Sequence, residues 1–391
     1  MSFNILVLHS DRSTGLNFVQ CLQEAKKEGW GQDLKVVGLC SHPIRMQLCK
    51  NDITFVAKEH DGDLEQVVKS VEQKLGESVH LVYETKSAPH MLQVSQLRDR
   101  VPVFLPPHKM VEIFEDKYLT YKHLVNKGFP VPKTHLIKTP ADIEAAFKDI
   151  AKSVVWVRDT QGQAGFGAFT ATSMQQVVEQ ITQRNGWGHH TIAEKLPIDA
   201  VHKWEDRLSS NFLPGEMVTW IAFYNEGQLV ASQARKRLYW EHSDLTTSGV
   251  TGYSGANMTV SRGDVNDLSD AIVRSFDWKP HGAMGADYVV DETGQIKLTE
   301  IQASRFFTST QPLALLGLNF PKLYVDAFRG SSVCKELVNP CPEGMLYIQR
   351  FGSESMMVHR DTILSELTAG TSRPKQSVQS DRNSQCIRDP Q

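Results

Sequence analysis

The stretch VVWVRDTQGQAGFGAFTA, residues 154–171, joins two apolar segments through a loop that contains three glycines. Arg158 lies near the end of the first segment, and Gly162, Gly165 and Gly167 follow it. Glycine has no Cβ, so the backbone N–H groups of such a loop can approach an anion closely. A Walker P-loop would instead end in GK[ST] and run into a helix. The stretch therefore predicts a strand–loop–strand lid over phosphates, with an ordinary glycine-rich surface hairpin as the alternative.

The composition limits the classes of function. The 391 residues can form two or three domains, because single cores rarely grow to this length. With 40% hydrophobic residues, 22% charged residues and a formal charge of -3, the chain is typical of a globular protein. This balance predicts neither a nucleic-acid partner nor a membrane partner, so any anion site must be local.

Targeting and metal signals are weak in this sequence. No apolar run approaches the roughly 18 residues that span a membrane, and the first residues lack the pattern of a secretory signal, so we expect a cytoplasmic protein. The cysteines are scattered without a CxxC pair, which predicts reduced thiols and neither a zinc site nor disulfides. His189 and His190 are adjacent, and neighbours on a strand face opposite sides, so they are not expected to share a metal.

The segment before the lid predicts a small parallel α/β domain over residues 1–108. Strands are predicted at 4–8, 34–40, 78–84 and 101–106, with a helix over 16–27 after the first strand. The first turn reads HSDRSTG with a single glycine, whereas a dinucleotide-binding turn would read GxGxxG. A nicotinamide or flavin site is therefore disfavoured.

The rest of the chain predicts three further regions. A linker helix and a lid subdomain occupy 109–190, and a C-terminal domain occupies 191–371. In that domain, residues 212–225 and 228–240 form a hairpin that turns at Glu226 and Gly227. The final segment, 372–391, is polar and predicted to be disordered.

A second predicted hairpin, MGADYVVDETGQIKLTEI over 284–301, carries two acidic side chains, Asp287 and Glu300, and Gln302 follows just beyond it. Residues two apart on a strand share a face, and hairpin pairing can bring Asp287 beside Glu300 and Gln302. Hard oxygen ligands of this kind suit Mg²⁺. The alternative is a solvated surface hairpin, but the strands are apolar, and carboxylates in such a context need a partner.

In this order, four stretches together resemble the ATP-grasp superfamily, and most closely its carbamoyl-phosphate-synthase-like, carboxylate-amine ligase branch. They are FLPPHKMVEIFEDKYLTYKHLVNKGFPVPKT, WVRDTQGQAGFGAFTA, NFLPGEMVTWIAFYNEG and KLTEIQASRFF. The resemblance extends from about residue 4 to residue 350. It implies an α/β (α+β ATP-grasp) fold, with an N-terminal parallel pre-ATP-grasp domain, a small lid domain and a C-terminal antiparallel-sheet nucleotide-binding domain.

The resemblance also implies ATP and Mg²⁺, with Mn²⁺ as a substitute, and a role for each matching residue. The phosphates would be contacted by Lys117 and Arg158 and covered by the loop that contains Gly162, Gly165 and Gly167. The ribose would be held by Glu216. The metal would be bound by Asp287, Glu300 and Gln302, and Arg305 would face the transferred phosphoryl group. Two departures affect these roles. Asn211 stands where the family usually has a glutamate near the adenine, which makes Glu194 a rival, and EIQASR has one residue more than the usual EINPR.

The implied reaction is an ATP-dependent ligation, in which a carboxylate is activated as an acyl phosphate and joined to an amine, with release of ADP and phosphate. Arg235 and Arg237 share a strand face and could bind the substrate carboxylate, although a charged edge strand is the alternative. Residues 246–255 form a small-residue loop that could close around substrate. A carbamoyl-phosphate-synthase-like kinase and a non-catalytic nucleotide-binding protein are the other candidate functions. The oligomeric state is open, with a homodimer as one candidate because dimers are the commonest assembly.

Overall fold

The computed structural model describes residues 2–56, 63–85, 88–162, 165, 167–184, 186–198, 200, 202–241, 243, 254–276, 279–303, 305–331, 336–348 and 356–368. Strands within these ranges form three sheets: one parallel, one small and antiparallel, and one large and mainly antiparallel. This arrangement matches the predicted fold class. The predicted disordered tail and most of the loop at 246–255 lie outside the described residues.

The N-terminal region contains a parallel sheet in the order β3-β2-β1-β4. Its elements are β1 (Phe3–Val7), α1 (Ser13–Lys27), β2 (Leu34–Cys40), a 3₁₀ helix (Pro43–Leu48), β3 (Ile53–Val56), α2 (Leu64–Leu75), β4 (Leu81–Tyr83) and α3 (Ala88–Gln96). The order places β1 in the interior of the sheet, which agrees with its buried, apolar sequence. The strand ends that follow β1 and β4 therefore lie side by side.

The prediction of a strand at residues 101–106 is wrong. In the structure, Val103 forms only an isolated bridge with Val82. Pro102 and Pro106 flank this bridge, and proline has no backbone N–H with which to extend a ladder. The sequence pattern also missed β3 and α2, which complete the sheet and cover one of its faces.

The middle region contains two linker helices and a small sheet in the order β5-β8-β6-β7. Its elements are α4 (His108–Glu115), α5 (Lys117–Asn126), β5 (Thr134–Ile137), α6 (Pro140–Ile150), β6 (Val155–Asp159), β7 (Phe169–Ala171), α7 (Met174–Gln183) and β8 (His190–Glu194). Strands β6 and β7 pair antiparallel, with Val157 opposite Phe169. The glycine loop therefore joins two paired strands, as the opening stretch predicts.

The C-terminal region contains the large sheet, in the order β13-β12-β9-β10-β11-β15-β16, with β14 beside β10. Its elements are α8 (Trp204–Arg207), β9 (Met217–Asn225), β10 (Gln228–Trp240), β11 (Ser254–Val260), α9 (Gly263–Arg274), β12 (Gly282–Val290), β13 (Ile296–Ala303), α10 (Gln311–Leu315), α11 (Phe320–Phe328), β14 (Leu337–Val338), β15 (Met345–Ile348), β16 (Met356–His359) and α12 (Arg360–Thr368). Both predicted hairpins are present.

One apolar core joins the parallel sheet to the large sheet. Side chains of β1, α1 and β4 pack with those of β9 and α11 in a single buried cluster. Within it the rings of Phe18 and Tyr83 stack with centroids 3.7 Å apart. The hydroxyl of Tyr83 accepts a hydrogen bond from the backbone N–H of Phe306, which fixes the segment that follows β13. None of the helices in the described ranges is long and apolar enough to cross a membrane.

Candidate active site

A cavity of about 290 Å³ lies where the three regions meet. Its wall includes residues from the start of α1, the glycine loop, the end of β8, strand β10, and the hairpin formed by β12 and β13. Among the predicted site residues, those that line it are Lys117, Arg158, Gly162, Gly165, Glu194, Arg237, Asp287, Glu300, Gln302 and Arg305. The structure therefore brings most of the predicted residues to one place.

The register of the β12–β13 hairpin sets the acidic side of the cavity. Asp287 pairs directly with Glu300, and Gly285 pairs with Gln302, so the three oxygen-bearing side chains belong to one patch. A bulge follows, because Tyr288 pairs with Leu298 and leaves Thr299 without an opposite residue. This is the arrangement that the hairpin spacing predicts, with an irregularity that the spacing could not show.

The bulge also connects the hairpin to the lid. The carbonyl of Thr299 accepts a hydrogen bond of 2.9 Å from Nη1 of Arg158, the residue in the lid strand β6. Within the described residues the Nε of Arg158 is buried and has no hydrogen-bond partner. Arg158 is thus held at the cavity wall with one donor still available for an anion.

Lys117 reaches the same wall from the start of α5. The carboxylate of Asp116 caps this helix by accepting from the backbone N–H groups of Tyr118 and Leu119. The backbone N–H of Lys117 donates to the carbonyl of Thr160 at 2.8 Å, and its Nζ donates to the carbonyl of Gly162 at 2.7 Å. Because of these bonds, the ammonium group lies at the entrance to the glycine loop.

The charges of this cluster depend on one another. Burial lowers the pKa values of Lys117 and Arg158, and the nearby carboxylate of Glu300 partly offsets that effect. Burial alone would raise the pKa of Glu300, but Lys117, the amide of Gln302, Arg158 and Arg305 together lower it. A second anion would therefore be favourable near these cations.

Arg237 lies on β10 and contacts Asp287 of the β12–β13 hairpin. Its Nη2 lies 3.3 Å from Oδ1 of Asp287 and donates to Thr219 Oγ1 at 3.0 Å, and its guanidinium stacks 4.0 Å from the ring centroid of Trp240. Arg235, on the same strand face, donates to Tyr347 and Thr308. The alternative of a solvated edge strand is wrong, because β10 lies inside the sheet and Arg235 is 1% exposed.

The donor set of the hairpin fits a magnesium ion. Asp287 and Glu300 provide carboxylate oxygens, and Gln302 provides an amide oxygen. The Nε2 of Gln302 donates to Glu300 at 2.7 Å, which leaves Oε1 buried and without a hydrogen-bond partner in the described structure. A buried acceptor of this kind would be satisfied by a cation.

Two residues with predicted site roles, Glu216 and Asn211, do not line the cavity. The Oε2 of Glu216 forms a buried ion pair of 2.7 Å with Nζ of Lys236 and accepts from the backbone N–H of Leu213. Asn211 is exposed, and its backbone carbonyl accepts from the same Nζ at 3.0 Å. The PGE segment is therefore held by Lys236, and the ribose role of Glu216 and the adenine role of Asn211 stay predictions.

Glu194, the rival for the adenine contact, does line the cavity. It forms an ion pair of 2.5 Å with Lys297, which also lies 3.5 Å from Asp291. Gly167 does not line the cavity but has a close-packing role: at φ 81°, a Cβ there would lie 2.3 Å from Oδ2 of Asp159. Asp159 lies in the cavity wall and pairs with His190 at 3.1 Å.

Part of the cavity wall consists of residues that no sequence motif indicated. Ser13, Thr14 and Asn17 come from the first turns of α1, and Thr308 and Ser309 come from the segment after β13. These are common residue types without a spacing motif, and they reach the cavity only because the parallel sheet packs against the large sheet. The one available signal was the position of 13–17 directly after the first strand.

Comparisons with known proteins support the fold. Neither a scan against protein-family models nor a search of curated proteins gives a match. Among solved structures, the chain is similar to N5-carboxyaminoimidazole synthetase from Staphylococcus aureus complexed with ADP, at 14% identity and a TM-score of 0.65, covering 94% of this chain and 97% of that one.

Two further solved structures are similar. One is the biotin carboxylase domain dimer of Hydrogenobacter thermophilus 2-oxoglutarate carboxylase in complex with MgADP, ADP and bicarbonate, at 10% identity and a TM-score of 0.64, covering 89% of this chain and 74% of that one. The other is L-amino acid ligase from Bacillus licheniformis, at 11% identity and a TM-score of 0.59, covering 88% and 79%. The chain therefore has the ATP-grasp fold that its motifs resemble.

Proposed function

We propose that this protein is an ATP-dependent ligase that activates a small-molecule carboxylate as an acyl phosphate and joins it to an amine, releasing ADP and phosphate. One observation carries the proposal: Lys117 and Arg158 face the Asp287–Glu300–Gln302 patch in a single cavity. Nucleotide phosphates and a divalent ion are the ligands that such opposed charges suit. The similarity to an ADP complex and to an L-amino acid ligase supports the same assignment.

On the phosphate side, Lys117 and Arg158 would neutralise the phosphates of ATP. Both are buried cations with lowered pKa values, so an added anion would favour their charged forms. Gly162 and Gly165 would let the loop backbone close over the phosphates. The closed loop would keep water away from the acyl phosphate until the amine reacts.

On the metal side, Asp287, Glu300 and Gln302 would hold Mg²⁺, with Mn²⁺ as a substitute. When bound, the ion would offset phosphate charge during transfer of the terminal phosphoryl group. Thr219 donates to Asp287 at 2.6 Å, and Gln302 donates to Glu300, so both carboxylates are already oriented. The chain thus provides an ordered set of oxygen ligands before any ion arrives.

On the acceptor side, Arg305 and Arg237 would hold the substrate carboxylate and the phosphoryl group that it receives. Arg305 is 6% exposed, and its place in the wall is fixed by the bond between Phe306 and Tyr83. Arg237 has a buried Nε without a hydrogen-bond partner in the described residues. Leu196, Met217 and Val289 line the same cavity, as does Glu194, and would provide apolar surface for the adenine ring.

The test is a substrate screen. The protein is incubated with ATP and Mg²⁺ against pooled amino acids and other small carboxylates, bicarbonate included, with and without pooled amines, and ADP and phosphate are measured. We expect release of ADP and phosphate that requires both an acid and an amine, with a product whose mass equals their sum less one water.

The other candidate functions give different results in the same screen. A stable phosphorylated product without free phosphate would indicate the kinase-like alternative. Nucleotide binding without ADP release for any acid would indicate a non-catalytic nucleotide-binding protein. Either outcome would overturn the ligase proposal.

A further inference from the structure

A second group of metal-ligating side chains lies outside the residues assigned to ATP and Mg²⁺. His9 follows β1, Glu84 follows β4, and His90 lies in the first turn of α3. One ligand atom from each lies within 4.8 Å of the other two. Strands β1 and β4 are parallel neighbours, with Val7 opposite Tyr83, so both residues that follow them lie at the same carboxyl edge of the sheet.

We propose that His9, Glu84 and His90 form a binding site for a divalent metal ion that accepts imidazole ligands, such as Zn²⁺. Two imidazoles and one carboxylate are a known ligand set for zinc with an open fourth position. Mg²⁺, in contrast, prefers oxygen ligands. The site is thus chemically distinct from the oxygen-rich patch of the β12–β13 hairpin.

The geometry of Glu84 supports metal binding. Its side chain is 1% exposed, its Oε1 accepts from the backbone N–H of Thr85 at 2.7 Å, and its Oε2 lies 2.9 Å from Nε2 of His90. A carboxylate at this depth requires a positive partner, which a divalent ion provides. The bond from Thr85 orients the carboxylate in the way that outer partners orient metal ligands.

The geometry of His9 supports the same conclusion. Its backbone has φ 51°, a left-handed conformation that few residues other than glycine adopt, and its ring lies 5.8 Å from that of His90 at 75°. Thr85 Oγ1 donates to the carbonyl of Leu8 at 2.9 Å, which holds the two strand ends together. Backbone strain of this kind is found at functional sites.

Small movements would complete the site. Ligand atoms around a tetrahedral zinc ion lie about 3.4 Å apart, given zinc–nitrogen distances of about 2.1 Å. The ligand atoms of the three residues lie at most 4.8 Å apart, so changes of about 1.4 Å or less in their separations would give this spacing. The side chain of His90 is 17% exposed, which leaves a path for the ion. The carbonyl of Thr85 accepts from Thr14, which lines the cavity, so the metal would lie next to the proposed active site.

The experiment measures zinc affinity of the full chain after removal of metal by a chelator. We expect one tightly bound Zn²⁺ per chain, and a loss of affinity of about a hundredfold or more in Glu84→Gln and in His90→Ala, because even outer partners of metal ligands contribute ten- to hundredfold. The matched control is His135→Ala. Nε2 of His135 lies 2.9 Å from a carboxylate oxygen of Asp149, so this site also has an imidazole beside a carboxylate but lacks a second imidazole. The substitution should leave the zinc affinity unchanged.

X-ray absorption of the zinc-loaded wild-type chain keeps the test decisive if a variant fails to fold. We expect nitrogen and oxygen neighbours with two imidazoles. Sulfur neighbours at about 2.3 Å would assign the ion to cysteines and overturn the proposal, as would wild-type affinity in both variants or the absence of zinc binding. Glu300→Gln should bind zinc normally, so failure of the ligase assignment and failure of this site are distinguishable.

Discussion

At the scale of single residues, Glu300 has the largest role in the proposed site. It belongs to the metal patch and is also the anion that offsets Lys117, Arg158 and Arg305. Its lowered pKa means that it stays ionised to a lower pH than an exposed glutamate. A neutral replacement of the same shape removes both effects without opening a cavity.

The first prediction follows from this position. Glu300→Gln should reduce ATP-dependent ADP formation by about a hundredfold or more, the scale found when one electrostatic partner of a transition state is removed. Glu292→Gln is the control, since Glu292 lies in the turn of the same hairpin and pairs with Lys152 at the surface. Equal rates for the Glu300 variant and the wild type would remove the residue from the site.

Glu115 provides a prediction about pH. Burial raises its pKa to about 7, with a further contribution from Glu300, while Arg305 and Lys117 act in the opposite direction. The folded state therefore binds a proton that the unfolded state has already released. The stability that this proton contributes is complete below about pH 4.5 and is lost as the pH rises to about 7.

The variant Glu115→Gln should remove this dependence. Between pH 4.5 and 7.5, the free energy of unfolding of the wild type should fall relative to that of the variant by on the order of 3 kcal/mol, from about 1.4 kcal/mol for each pKa unit. Urea unfolding at several pH values measures it, with Glu112→Gln on the same helix as an exposed control. Parallel curves for variant and wild type would contradict the raised pKa.

Glu216 provides a prediction that separates a structural role from the predicted contact with the ribose. If it serves the fold through Lys236, Glu216→Gln should lower the free energy of unfolding by about 3 kcal/mol, because one partner of a buried ion pair is left alone. The KM for ATP should stay within twofold of the wild-type value. An unchanged free energy of unfolding together with a raised KM for ATP would instead support the predicted contact of Glu216 with the ribose.

At the scale of elements, the lid hairpin depends on the close approach of Gly167 to Asp159. Gly167→Ala adds a Cβ that would meet the carboxylate of Asp159, which lies 3.1 Å from Nε2 of His190. We expect kcat/KM for ATP to fall about tenfold or more, since small misplacements of binding groups reduce rates strongly.

The control for this substitution is Gly76→Ala. Gly76 also has a positive φ, of 67°, but ends α2 with nothing within 4 Å of an added Cβ. It should cost about 1 kcal/mol of stability from backbone strain and leave ATP turnover unchanged. If both variants behaved alike, strain alone would explain the effect and the packing role of Gly167 would be refuted.

The features that could be predicted from the sequence are local ones, formed within a single hairpin or at the start of a single loop. The proximity of Asp287, Glu300 and Gln302 was predictable because a hairpin with a short turn determines its own register. Arg158 was a candidate because it precedes a glycine-rich loop, whereas Lys117 was a candidate only through the resemblance to ATP-grasp proteins. The partner of Glu216 was not predictable, since Lys236 reaches it from the next strand of the sheet. The bulge at Thr299 was not predictable either, because no residue type in the hairpin marks its position.

At the scale of the whole molecule, the cavity exists because three regions meet. The bond from Phe306 to Tyr83 and the core shared by β1, β9 and α11 hold the parallel sheet against the large sheet. Ser13, Thr14 and Asn17 enter the wall only through this packing. A sequence shows which residues are apolar, but not which sheet faces meet, so this part of the wall required the structure.

The central claim is that a divalent ion held by Asp287, Glu300 and Gln302 positions ATP against Lys117 and Arg158. The most direct measurement is a crystal structure of the full chain with Mg²⁺ and a non-hydrolysable ATP analogue. We predict Mg²⁺ within about 2.1 Å of oxygens of Glu300 and of at least one other residue of the patch, with phosphates beside Lys117 and Arg158. A nucleotide bound elsewhere, or an ion that contacts none of these oxygens, would contradict the account.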